Sequence, residues 1–346
     1  MNGDKDISFR VSGKGVGDKR KYFNIDGSEA TRVDVWVEAL ADKWFWLEYF
    51  QDNSDYKFNF RGPDEIDAKD KKRSTGCDRL FTLEKQKEII LGNDCILCLD
   101  SDDSYIKSFI PGFTSKKSQR PHVYTTKIYA IDNAFLLDKH VDHVFNIITT
   151  KGGAGASWPP SELISNIAKT TWSAYTGIYY LEAVGRNREF KVSQKLAYKL
   201  ISKLWKADAS NIQNCSTYKK FQAEYSKLES TVNAAIKAVD QQGYDKFITA
   251  LENSGINQTT FYLFIRGHSL FDSTTSCYEV INETHKTNEI NRVKKEYPDH
   301  TGIVLSIQRT WKTFPEILTA KFSARKTPVP FFCDTLKTLS DHYNLE

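Results

Sequence analysis

No run of 18 apolar residues occurs anywhere in the 346 residues, so no stretch has the length of a membrane-spanning helix. The first residues carry Asp4 and Asp6 and no apolar segment of the kind a secretory signal needs. Both absences lead us to expect a cytoplasmic protein with no membrane partner. Cysteine is scarce at six residues, too few for a disulfide scaffold of this length, and reads as reduced, packed thiols. Cys95-x-x-Cys98 has zinc-like spacing but lies inside an apolar strand pattern, where positions three apart face opposite ways. His140-x-x-His143 has no further ligand near it in sequence and reads as two surface histidines. Gly13-Lys14-Gly15-Val16-Gly17 lacks the Gly-Lys-Ser/Thr sequel of a phosphate-binding loop and reads as part of an N-terminal arm or hairpin over 1–31. There is no internal repeat and no low-complexity tract.

What the chain does have is an apolar run that ends in acid. Ile96-Leu97-Cys98-Leu99 leads straight into Asp100-Ser101-Asp102-Asp103. Short apolar runs of this kind read as buried strands of a parallel sheet, and in such sheets ligands bind beyond the carboxyl ends of the strands. On an extended backbone Asp100 and Asp102 would share a face, roughly 6 to 7 Å apart at Cα. Two carboxylates that close repel unless a cation joins them, and carboxylate oxygens are hard ligands suited to Mg²⁺ or Mn²⁺.

The alternation of Val33, Val35 and Val37 predicts a strand ending at Glu38. A helix is expected over 39–50 with Trp44, Phe45, Leu47 and Phe50 as its apolar stripe, and a second strand over 56–60. A charged loop over 61–76, a helix over 80–91 and the strand 94–100 follow. Next come a strand over 123–129 and a helix over 134–145. This order is that of a parallel α/β layer closing near residue 150. Gly152-Gly153-Ala154-Gly155 reads as a linker, and Pro159-Pro160 opens the next helix. Helices are expected over 161–184, over 193–206 with Ser193 as cap, and over 217–239 with Phe221, Tyr225, Leu228, Val232 and Ile236 on one face. The expected architecture is an α/β domain over 32–150, a parallel sheet flanked by helices, followed by a mainly α-helical domain over 156–346. Residues 1–150 hold 23 basic against 25 acidic side chains and the remainder 25 against 19, so the second half is the basic one. That asymmetry suits a phosphate-bearing partner.

In a parallel sheet, Glu38, Asp100 and Asp102 would leave the strands on the same side. Three converging carboxylates make a divalent-metal site able to polarise a phosphodiester, with Glu38 as metal ligand or as general acid or base.

A strand ending in Glu, then a strand ending in Asp-x-Asp, resembles the Toprim fold of topoisomerases, primases and several nucleases. More closely, the sequence resembles a Toprim-like family of formerly unknown function that includes the effector nuclease of the PARIS anti-phage system. The resemblance is carried by Val35-Trp36-Val37-Glu38 with Asp42 and Phe45-Trp46, Gly76-Cys77-Asp78, Leu99-Asp100-Ser101-Asp102, Tyr124-Thr125-Thr126, Tyr129-Ala130-Ile131-Asp132-Asn133 and the distant Arg266-Gly267-His268. It covers 35–150 well and the second half only through that last motif. Ala39 stands where Toprim proteins have glycine, and Asp132 where the family has glutamate. Gly76-Cys77 stands for a double glycine.

The resemblance implies a Mg²⁺- or Mn²⁺-dependent nuclease acting in phage defence, on RNA or tRNA or on DNA. It further implies an ABC-type ATPase sensor that holds the enzyme inactive, and a homodimer as the active form. Glu38, Asp100 and Asp102 are then the catalytic and metal-holding residues, and Arg266 and His268 nucleic-acid contacts. Asp42, Asp103 and Asp132 have supporting or structural roles. Taken as packing residues instead, Asp103 would cap a helix and His268 would sit satisfied in the core. The rival expectation is an inactive Toprim-like binding module that partners the ATPase.

Overall fold

A computed structural model gives the structure of residues 21–23, 26–39, 42–63, 76–117, 120–149 and 155–345. The glycine-rich stretch Gly13–Gly17, the linker positions Gly152, Gly153 and Ala154, and most of the charged loop after residue 63 lie outside the described residues. The architecture is α/β with a largely parallel sheet and abundant helix. Contacts divide the chain into two compact units. Unit 1 comprises 1–99, 120–124 and 336–346; unit 2 comprises 100–119 and 125–335. The division falls at Leu99–Asp100 rather than near residue 150, because the helices that follow residue 125 cluster with the later ones.

Unit 1 holds the strands β1 (Lys21–Phe23), β2 (Glu29–Val37), β3 (Tyr56–Arg61) and β4 (Cys95–Leu99), and β5 (Val123–Thr125) spans its border. The sheet order is β1-β2-β4-β5, with β3 also on β2. β1 runs antiparallel to β2, whereas β3 and β4 run parallel to it, with Val35 opposite Phe60 and opposite Ile96. Val33, Val35 and Val37 are wholly buried, as their alternation requires. The opposite face carries Trp36, Leu97 and Leu99 into a cluster with Leu80, Leu83 and Ile89. β4 is therefore buried on both faces, which is why Cys95–Leu99 is apolar without a break.

Two helices of this unit differ from expectation. α1 spans only Asp42–Leu47 and α2 spans Gly76–Lys85. Trp44, expected on the apolar stripe, is 73% exposed, while Phe45, Trp46 and Phe50 are buried. Six residues make fewer than two turns, so one face of so short a helix cannot carry all four. Past α2 the chain turns at Lys87 with φ of 62°, a left-handed conformation that stops a helix. Gly76 has no room for a side chain, because a Cβ there would meet the carbonyl of Glu38. The C-terminal Tyr343 packs edge-on against Tyr56 and Phe58, and its hydroxyl donates to the Asn93 carbonyl at 3.1 Å.

Unit 2 is helical: α3 (Ser104–Lys107), α4 (Ile131–Phe135), α5 (Asp138–Thr149), α6 (Pro160–Ala183), α7 (Gln194–Ser202), α8 (Ser216–Val239), α9 (Gln241–Asn253), α10 (Gly267–Glu296), α11 (Thr301–Thr310) and α12 (Phe314–Lys321). α13 (Cys333–Tyr343) begins in this unit and ends in unit 1. The helix expected over 134–145 is thus two, and the strand expected over 123–129 ends at Thr125. The left-handed Lys127 turns the backbone out of the sheet. α6 opens on Pro160 as the sequence indicated, and α8 buries Phe221, Tyr225, Val232 and Ile236. Gly177 lets those helices approach, since a Cβ there would strike Val232 and Ile236. Ser193 precedes α7, but its side chain makes no capping bond. The Gln194 amide instead donates to Glu182 Oε1 at 3.1 Å. His140 is buried, bonded through Nε2 to the Leu318 carbonyl at 2.8 Å, and only His143 lies at the surface. All six cysteines are free; burial holds the Cys98 thiol well above its ordinary pKa and pushes Cys95 up to about 12, as for packed, inert thiols.

Among the described residues no helix is long and apolar enough to cross a membrane.

Candidate functional site

β4 ends at Leu99, so Asp100-Ser101-Asp102 is not extended and the strand argument for a shared face does not apply. Asp102 is left-handed at φ of 47°, a conformation aspartate tolerates better than most residues. Backbone contacts fix the turn. Asp102 N–H donates to the Tyr129 carbonyl at 2.7 Å, and Ser101 N–H to Thr126 Oγ1 at 3.2 Å. Asp100 Oδ1 accepts from the Ile131 amide at 3.1 Å, at the start of α4.

No motif or spacing marks the next partner. Lys117, only 8% exposed, places Nζ 2.6 Å from Asp102 Oδ2 and 2.6 Å from the Asp100 carbonyl. An ammonium this deeply buried needs charged or carbonyl partners, and the acidic turn supplies both. The cation on the Asp102 carboxylate in this conformation is therefore a lysine, which reaches Asp100 through its backbone carbonyl.

Asp103 precedes α3 without capping it by its side chain. Its carboxylate accepts instead from Lys107 Nζ at 2.6 Å and Gln194 Nε2 at 2.6 Å. Glu182 accepts from the same two side chains, at 2.9 and 2.6 Å, so these four groups tie α3, α6 and α7 together.

Asp132 and His268 are 136 positions apart in sequence and meet in unit 2 as an ion pair between Asp132 Oδ2 and His268 Nδ1. Gly267 makes this approach possible. A Cβ at that position would lie 2.9 Å from Ala130 Cβ, 2.9 Å from Asn133 Oδ1 and 3.1 Å from Asp132 Cβ. Asn133, fully buried, completes the junction. Its Nδ2 donates to the carbonyls of Tyr262 at 2.8 Å and Ile265 at 3.0 Å, and its Oδ1 accepts from the Ala130 amide at 3.0 Å. Residues 261–264 form a buried 3-10 turn. His268 is not a core histidine: it stands in the first turn of α10 with its side chain 76% exposed. Arg266 lies over the ring of Tyr198 at 4.2 Å. Burial raises the pKa of the half-buried Tyr129 phenol, and Asp102 and Asp103 raise it further against Arg266 and Lys117.

The Asp132 carboxylate raises the His268 pKa above 6.5 against the opposing effect of partial burial, with Asp272 adding to the rise and Arg266 opposing it. The stabilisation this pair brings is full below pH 6.5 and is lost as pH rises through the elevated value. An NMR titration should place the His268 transition above 6.5 and move it down in Asp132→Asn; an unmoved transition would contradict the pairing.

Glu38 and Asp42 belong to unit 1. Glu38 follows β2 and is half-buried, and the Asp42 carboxylate accepts from the Ala39 amide at 2.9 Å, closing the turn that leads into α1. Among the described residues no group of three or more His, Cys, Asp or Glu side chains is gathered to hold a metal ion. The donors at the acidic turn, a carboxylate and a carbonyl already holding a cation, are of the hard type that suits Mg²⁺ or Mn²⁺. Searches with this chain found no matching family model and no matching curated protein.

Proposed function

We propose that the chain is a divalent-metal-dependent phosphodiesterase, a nuclease acting on RNA or DNA, with Asp100 and Asp102 holding the metal. One observation carries this reading: stretches far apart in sequence, 100–102, 129–133 and 266–268, gather around the segment leading into α4. Acidic groups and a basic pair on one polar junction are what phosphoryl chemistry uses. Glu38 enters this reading only through the Toprim-like resemblance of its motif, Val35-Trp36-Val37-Glu38. Bound Mg²⁺ or Mn²⁺ supplies Lewis-acid polarisation of a phosphate oxygen and a lowered pKa for water. Asp100, oriented by the Ile131 amide, and Asp102, whose backbone is fixed and whose carboxylate Lys117 occupies in this conformation, are the residues that would hold it. His268, aligned by Asp132, offers an N–H donor to a phosphate at the surface, and Arg266 adds positive charge beside it. The Toprim-like resemblance adds a role in phage defence and an ATPase partner that restrains the enzyme.

The Lys117 clamp favours a second reading, a binding module whose aspartates are structural and whose partner is the ATPase. Thermal denaturation separates the two. Mn²⁺ or Mg²⁺ should raise the melting temperature of the wild type by mass action, and Glu38→Gln with Asp100→Asn should remove the gain. An equal response in the double variant would refute the site.

A further inference from the structure

Lys117 is the one side chain of the acidic turn that neither motif nor spacing accounts for. Its ammonium is a compact, strongly hydrated point charge, and burial removes most of that hydration. What replaces the water is a carbonyl and a carboxylate, each at 2.6 Å. Those two oxygens are also what a hard divalent cation would take from the turn. Neither is easily moved aside, because the Asp102 backbone is held left-handed with its amide on Tyr129 and Asp100 is held through the Ile131 amide.

We propose that Lys117 is the resident counter-cation of the Asp100–Asp102 turn and competes with divalent metal for the Asp102 carboxylate and the Asp100 carbonyl, thereby setting the metal concentration at which the site loads. The proposal rests on the reading of Asp100 and Asp102 as metal-holding residues. The physical consequence is a population effect. A ligand whose binding-competent state is only fractionally populated shows an affinity reduced by that fraction, and the competent state here is the one with Lys117 displaced. A nuclease with such a clamp stays unloaded at low metal without losing any ligand.

The test is calorimetric titration of Mn²⁺ into the full chain as wild type, Lys117→Met, Lys117→Gln, and each lysine variant combined with Asp102→Asn. Circular dichroism checks folding, and the glutamine variant, which keeps a donor without the charge, stands in should methionine not fold. Both lysine variants should bind Mn²⁺ at least tenfold tighter than the wild type, and Asp102→Asn should abolish the gain. Binding by the lysine variants where the wild type shows none would meet the same expectation. Equal or weaker binding in the lysine variants, or a gain that survives Asp102→Asn, overturns the competition while leaving a metal site standing. No binding by any form overturns both the competition and the metal reading.

Discussion

Asn133→Ala is expected to destabilise unit 2 by about 3–5 kcal/mol, the largest single effect we expect outside the apolar core. The side chain is fully buried and makes three hydrogen bonds to backbone, so its removal leaves two carbonyls and one amide unpaired. Each orphaned buried group costs about 1–3 kcal/mol, partly relieved by relaxation. Asn133→Asp should do no better: it keeps an acceptor for the Ala130 amide but turns a carboxylate toward the Tyr262 and Ile265 carbonyls. Urea denaturation checks both variants, and a loss under about 1 kcal/mol would mean the junction does not depend on this residue. Because Asn133 joins the start of α4 to the residues preceding α10, the same variant should blur the Asp132–His268 pair and flatten its titration.

Asp102→Asn is the second large effect, and it has two separable parts. Cleavage of nucleic acid should fall at least about 100-fold, since a neutral amide is a poor ligand for a hard cation and metal assistance contributes several kcal/mol. Stability should fall as well, by about 1–3 kcal/mol, because the buried Lys117 ammonium loses the carboxylate charge 2.6 Å from it. Adding Lys117→Met should restore most of the stability and none of the activity. If the double variant cleaves as well as the wild type, Asp102 has no part in the chemistry.

Alternation and apolar run length exposed the sheet. Val33, Val35 and Val37 are buried where a period of two puts them, and Cys95–Leu99 is apolar throughout because both faces are covered. Patterns on the long helices were as legible: α8 buries four of the five residues read as its face. Short elements were not. α1 is under two turns, so its hydrophobics do not obey a stripe, and Trp44 was misplaced. α4 and α5 are separated by a break at Leu136–Leu137 that leaves the apolar spacing unbroken.

The candidate site was legible as residue types and illegible as geometry. Asp100 and Asp102 stand out because they follow an unbroken apolar run directly, yet the left-handed turn that places Asp102 follows from backbone partners elsewhere in the chain. Lys117 sits beside Lys116 and between two serines, where nothing periodic marks it. Asp132 and His268 were each noticed, and their pairing depends on an approach that only a glycine at 267 permits. A signal existed in hindsight: a glycine between an arginine and a histidine, opposite a buried asparagine.

Incubation of purified protein with labelled tRNA, single-stranded RNA and duplex DNA, in Mg²⁺, Mn²⁺ or EDTA, tests the central claim most directly. The account predicts cleavage of at least one of these by the wild type, dependent on metal and lost in Glu38→Gln and Asp100→Asn. Full cleavage in EDTA, or undiminished cleavage by both variants, would contradict it.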